Sequence, residues 1–384
     1  MRALLRRVGV AALLPLGACA GTTAMKTGTL PFSAPDEPPA TSVMTTGGSG
    51  DSNGRAWAFF ANEGTNTANW TALNGGWSKQ PIDGLSTVTN VGTGWWAGTG
   101  EQWSPAPHAH MLNIEYGTPG SGGWPGSTDL GQAALGAYDA TWLSWLEADA
   151  AAAKVQGSPI TVVRIWQEIN GNWMPCSTNQ TGRTSVDGTA PGTSWPAATI
   201  IKAWDHMAEQ VRLALPDAKI EWNLNVGGPW RGPTSPGNGT GFDLYPGDQY
   251  VDIIGVDAYE KSVSWANTVS GPGVNLNQVV AFATAHNKLV GISETAAHNG
   301  DASYLMSMAN YFDSLGMRAA YIVYYDQGSA ANGDNIIYST TGTDSAGTAL
   351  QDALNASSFG TKPYVGNLSR FTNRNLRQEH SPMP

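Results

Sequence analysis

Cysteine is nearly absent: Cys19 and Cys176 are the only two in 384 residues. With Cys19 lost or modified at the N-terminus, Cys176 has no intramolecular partner. No disulfide framework then holds the fold, and stability must come from a large core. Charge is also scarce, at 13% of residues, about half the usual share for a globular domain. Lysine and arginine total 20 against 30 acids, for a net charge of −10. The body has no basic cluster of the kind that tracks phosphates, so nucleic acid is excluded as a partner. The one basic group, Arg370, Arg374 and Arg377, reads as a solvated terminus. Beyond the N-terminus no apolar run approaches the ~18 residues needed to span a bilayer. No G-x-G-x-x-G follows the first predicted strand, which removes the main cue for a dinucleotide fold. His108 and His110 share a strand face, but no third ligand stands at a recognisable spacing, so neither a metal nor a cofactor is expected.

What the chain does have is glycine, 47 residues, tryptophan, 16 residues, and a hydrophobic share of 41%. That content suits a packed core and argues against disorder across the body. Residues 1–20 read as a signal peptide: Arg2, Arg6 and Arg7 precede a short apolar stretch, 8–16. Two processing readings overlap there. Leu16-Gly17-Ala18-Cys19 resembles the bacterial lipobox, which would put a lipid on Cys19 and anchor the chain to a membrane of the cell envelope. Ala18-Cys19-Ala20 fits a small-x-small cleavage site, which would release a secreted protein. Residues 21–54, rich in Thr, Ser, Pro and Gly, read as a flexible tether. Residues 55–358 show no second linker and no short repeat, and residues 359–384 read as a polar tail.

Within 55–358, strand-length apolar runs alternate with helical patterns. Strands are expected at 56–61, 110–116, 160–166, 219–225, 251–258, 289–293 and 319–325; helices at 138–155, 195–215, 276–286 and 303–315, the last closed by Gly316. Such alternation predicts parallel strands with crossover helices, and at this length a single (β/α)8 TIM barrel in the α/β class. Barrel chemistry sits at the carboxyl ends of the strands. That rule selects Glu168, just past the run 160–166, and Glu294, just past 289–293. Strand alternation predicts Arg164, Trp166 and Glu168 on one face. A carboxyl beside indole rings is desolvated and suits a proton donor, whereas one beside a cation stays ionised and suits a nucleophile.

Three segments carry a family resemblance. Arg164-Ile-Trp-Gln-Glu-Ile-Asn-Gly-Asn-Trp173 resembles the acid/base motif of glycoside hydrolase family 26, best known for β-mannanases. Tyr245-Pro-Gly-Asp-Gln-Tyr-Val-Asp-Ile-Ile-Gly-Val-Asp-Ala-Tyr259 is similar to that family's stretch along strand six. Gly291-Ile-Ser-Glu-Thr295 resembles its strand-seven nucleophile segment. The three occur in family order and span roughly one barrel domain. The resemblance implies a retaining glycosidase with Glu168 as acid/base and Glu294 as nucleophile. It further implies that Tyr259 donates a hydrogen bond to Glu294, that Arg164 holds charge beneath the site, and that Trp173 stacks on a sugar ring. Gln167 stands where the family normally has His, close to the ring that is cleaved; Gln keeps both a donor and an acceptor there.

Each residue also has a plainer reading. Glu168 and Glu294 read alternatively as helix-capping acids, Tyr259 as core, Arg164 as a buried ion-pair partner, and Asn170 as a loop-shaping residue. Trp166 and Trp222 fall in strands and read as core. Trp173 and Trp230 fall in predicted loops, where an aromatic face suits a polysaccharide subsite. Cys176 as a nucleophile lacks any local signature. The expectation is an exported β-glycoside hydrolase acting on a β-linked polysaccharide or oligosaccharide, mannan-type first. The rivals are a barrel that binds glycan without cutting it and a surface-tethered assembly protein.

Overall fold

The computed structural model describes residues 54–62, 82–89, 109–114, 130–171, 195–228, 240–260, 264–296, 301–325 and 345–366. Cys19, Cys176, His108, Trp173, Trp230, the leader and nearly all of the tether lie outside them. None of the described helices is long and apolar enough to cross a membrane.

Eight parallel strands close into a barrel in sequence order: β1 Ala58–Asn62, β2 Gly84–Thr89, β3 Ala109–Ile114, β4 Ile160–Ile165, β5 Lys219–Asn225, β6 Ile253–Asp257, β7 Leu289–Thr295 and β8 Ala319–Tyr325. Closure comes from β8 pairing with β1, from Ala58 opposite Tyr321 to Asn62 opposite Tyr325. Helices Asp139–Gln156, Ala197–Ala214, Leu276–Ala285 and Ala302–Leu315 fall where helical periodicity predicts them, and Ser345–Ala356 follows β8. Their ends carry ordinary stop and start signals: Gly157 ends the first in a left-handed turn, Asn275 caps Leu276–Ala285 by accepting from the Gln278 amide, and Asp301 caps the next through Ser303. This is the (β/α)8 TIM architecture.

Each strand has two environments. Outward residues such as Val163, Ile165, Ile220, Trp222, Leu224, Val290 and Ile292 pack with Trp142, Leu146, Trp204 and Met207 of the helices. Inward residues form a separate apolar floor from Phe60, Met111, Val162, Ile253, Leu289 and Tyr321. Above that floor the interior turns polar. Asn113 donates to Ser86 Oγ at 2.7 Å, and Arg164, Glu221, Asn223 and Asp257 are buried around it. The polar layer carries the site.

Residues 359–366, read from the sequence as the start of a polar tail, pack on the barrel instead. Phe359 is buried with its ring 5.2 Å from that of Trp57, and Tyr364 pairs with Arg55. Aromatic burial inside an otherwise polar stretch explains the difference.

Candidate active site

β4 delivers the first carboxyl. Its inward residue Arg164 is fully buried, and the strand stops one residue later. Trp166 then adopts φ 54° and Glu168 φ 50°, left-handed conformations rare for bulky side chains. The turn breaks the alternation expected from the sequence. Trp166 does not share the inward face of Arg164; it is buried in the outer core with Ile165 and Ile169. Glu168 is only partly covered. Its amide donates to Asn223 Oδ1 at 2.6 Å, and its Oε1 accepts from Asn225 Nδ2. Asn170 is fully buried and tied to β5, donating to the Asn225 carbonyl at 2.9 Å and accepting from its amide at 2.7 Å. It shapes the turn. Gln167 stands beside Glu168, half-buried.

β7 delivers the second carboxyl. Glu294 lies one residue from the end of the strand, with its side chain 13% exposed. It accepts from Arg164 Nη2 and, at 2.5 Å, from the Tyr259 hydroxyl. β6 supplies the residue between the two acids: Asp257, opposite Glu294 in the ladder, takes Arg164 Nη1 on both oxygens at 3.0 Å and Asn223 Nδ2 at 2.9 Å. Tyr325, ending β8, meets the Tyr259 ring edge-on at 6.1 Å between centroids.

The charges in this layer act on one another. Burial alone would lower the Arg164 pKa, but Asp257, Glu294 and Glu221 together hold it well above its ordinary value. Burial, then Glu294, push the Asp257 carboxyl well up against the pull of Arg164, and Glu168 adds to the rise. Both Glu168 and Glu294 are therefore close enough to Asp257 to bias it. Burial, then Glu294 and Asp257, push the Tyr259 phenol well above its usual value, so it stays a donor. One guanidinium thus serves several carboxyls at the carboxyl rim of the barrel. Of the two candidate site carboxyls, Glu294 is held by that cation and a phenol, whereas Glu168 is held by the Asn225 side-chain amide.

A family profile, Glycosyl hydrolase family 26, matches residues 234–330. Over that stretch the chain is similar to glycoside hydrolase family 26. The matched stretch holds Tyr259 and Glu294, while the 164–173 segment lies before it. An endo-β-1,4-mannanase from Cellulomonas fimi superposes with a TM-score of 0.51 at 15% identity, over 78% of this chain and 71% of the other. A family 26 β-mannanase from Bacteroides ovatus does so with 0.51 at 13% identity, over 84% and 94%. At these identities the likeness is one of fold. No curated protein matches the chain.

Of the residues that the family 26 resemblance singles out, Arg164, Gln167, Glu168, Tyr259 and Glu294 gather at one end of the barrel. Trp173 and Trp230 lie outside the described residues. His110, half of the histidine pair, is buried against Thr87, with Nε2 at 2.5 Å from the Thr87 hydroxyl; burial pushes its pKa down to about 3, so the ring is neutral. Among the described residues no group of His, Cys, Asp and Glu could hold a metal ion. Sequence reasoning assigned no role to Asp257, Asn223, Asn225 or Glu221. The signal was present in β5, Lys219-Ile-Glu-Trp-Asn-Leu-Asn225, whose polar residues recur at every second position.

Proposed function

We propose that this family 26-like chain is an exported, retaining β-glycoside hydrolase acting on a β-linked polysaccharide, mannan-type first. The observation that carries the reading is Glu294: it is gripped by Arg164 and Tyr259 on one rim, with Glu168 on the same rim. A cation and a phenol donor fix that carboxyl from two sides, as a nucleophile aimed at one carbon needs. Glu168 is the acid/base.

In the first step Glu294 forms a bond to the anomeric carbon while the glycosidic C–O bond breaks. The leaving oxygen takes its proton from Glu168. In the second step Glu168 takes a proton from water, whose oxygen bonds to the anomeric carbon and releases Glu294. Tyr259 and Arg164 receive the returning charge. Gln167, beside the acid/base, offers a donor and an acceptor to the sugar at the cleaved bond. Trp173 and Trp230 would add stacking faces. Export rests on the sequence: the leader, and Cys19 as the lipid attachment point, put the enzyme in the cell envelope or outside the cell.

Product analysis of the purified protein on mannans, glucans and xylans tests the reading. Release of reducing ends with retained anomeric configuration is expected, and Glu294→Ala should lower kcat at least ~10³-fold. Full activity in that variant would remove Glu294 as nucleophile. Binding of a glycan without cleavage at any pH would favour a non-hydrolytic barrel.

A further inference from the structure

Glu221 sits inside the barrel on β5, fully buried and without a part in the two steps above. The cavity around it is shaped for it. Its Oε1 accepts from Ser293 Oγ and, at 3.0 Å, from Asn223 Nδ2; its Oε2 accepts from the Tyr321 hydroxyl. On the neighbouring strand a Cβ at position 255 would lie 1.8 Å from Glu221 Oε1, so Gly255 leaves the room the carboxylate fills. A Cβ at Gly291 would lie 2.7 Å from the Tyr321 ring. Burying a carboxylate costs several kcal/mol before its partners compensate, and the apolar floor below shows that this interior can be filled without charge.

Two of the three donors lead to the site. Asn223 holds the Glu168 amide through Oδ1 and reaches Asp257 through Nδ2. Ser293 directly precedes Glu294. A further link is through space, since Glu221 joins Asp257 and Glu294 in the field felt by Arg164.

We infer that Glu221 is a positioning residue for both site carboxyls: it fixes Asn223 beneath Glu168 and Ser293 beside Glu294. Its kinetic consequence rests on the hydrolytic reading; its hold on Glu294 does not.

Glu221→Gln keeps the size and removes the charge. Its amide nitrogen then faces a donor, so one of the three hydrogen bonds is lost or reversed. Arg164 of β4 and Tyr259, two residues past β6, donate to Glu294, and Asp257 of β6 lies opposite it in the ladder. On the glycan that the wild type cleaves, E221Q should lower kcat about tenfold or more and leave KM within about twofold. Amide NMR of E221Q with no substrate present should show the Glu168 and Glu294 backbone signals displaced from their wild-type positions, since Asn223 holds the Glu168 amide and Ser293 adjoins Glu294. Ser293→Ala, which breaks one link and keeps the charge, should lower kcat less and leave the Glu168 signal in place.

A folded E221Q whose Glu168 and Glu294 amide signals stay in place overturns the inference, whether or not kcat falls. If E221Q does not fold, wild-type kcat in S293A overturns it. A wild type inactive on every glycan overturns the hydrolytic reading instead, and the amide signals still decide whether Glu221 positions the two carboxyls.

Discussion

Trp166 and Glu168 each hold a left-handed backbone that costs about 1–3 kcal/mol for a residue with a side chain. The surroundings repay it: the Trp166 amide donates to the Ile114 carbonyl at 2.9 Å, its ring is buried, and Asn223 holds the Glu168 amide. The result is a carboxyl turned to the rim from a strand whose next inward position would have been an indole. A second buried acid has no such support. Asp149, on helix Asp139–Gln156, is fully buried, and neither carboxyl oxygen has a hydrogen-bond partner among the described residues. Burial pushes its pKa up to about 7. The folded form therefore holds a proton that the unfolded chain gives up near pH 4, and this contribution to stability is lost as pH rises from about 4 to about 7. Asp149→Asn should accordingly be more stable than wild type by roughly 2–4 kcal/mol at pH 8 and by much less at pH 5. Denaturant midpoints at the two pH values check this; equal gains at both would contradict it.

At the scale of elements, strands 5, 6 and 7 work as one unit, because Glu221 of β5 occupies space that Gly255 of β6 vacates and is bonded by Ser293 of β7. Gly255→Ala should cost about 1–3 kcal/mol or more through overpacking and should also disturb activity, since the displaced carboxylate carries Asn223 with it. Urea unfolding alongside rate measurements checks this, and a stable, fully active G255A would show that the slot can widen. Most elements were legible beforehand, since runs such as 160–166 and 319–325 are β-branched or aromatic and uninterrupted. β2, Gly-Leu-Ser-Thr-Val-Thr, was not: it is short, half polar and set among glycines. Helix Ser345–Ala356 was missed although Ala349, Leu350, Ala353 and Leu354, all buried, recur at helical spacing. The placement of Glu168 and Glu294 at strand ends was readable, whereas the outward turn of Trp166 was not. A change in the sign of φ leaves no mark on an apolar–polar pattern. Asp257, Asn223 and Glu221 escaped for another reason: an inward polar residue gains meaning only from the strands that face it once the barrel has closed.

Where the first and last described segments meet, the barrel is held by aromatic packing and ion pairs, Lys362 to Asp313 at 3.6 Å among them. Trp57 lies edge-on to Phe312 and Phe359, and its indole donates to Asp313 at 2.9 Å. Arg55 pairs with Asp83 at 2.6 Å. Phe359→Ala removes the ring that closes this cluster and should destabilise the fold by about 3–5 kcal/mol, with KM for glycan unchanged in the fraction that stays folded. Thermal unfolding followed by circular dichroism measures it, and a loss under ~1 kcal/mol would mean that residues 358–366 are dispensable.

The ring of strands has a consequence in time as well as in space. Ala58 finds its partner Tyr321 only after about 260 further residues have emerged from the ribosome. Until then β1 presents a bare margin to anything able to add a strand, and no partial chain can complete the circle. The ring therefore closes only when β8 is available, which makes its completion the last pairing of the sheet.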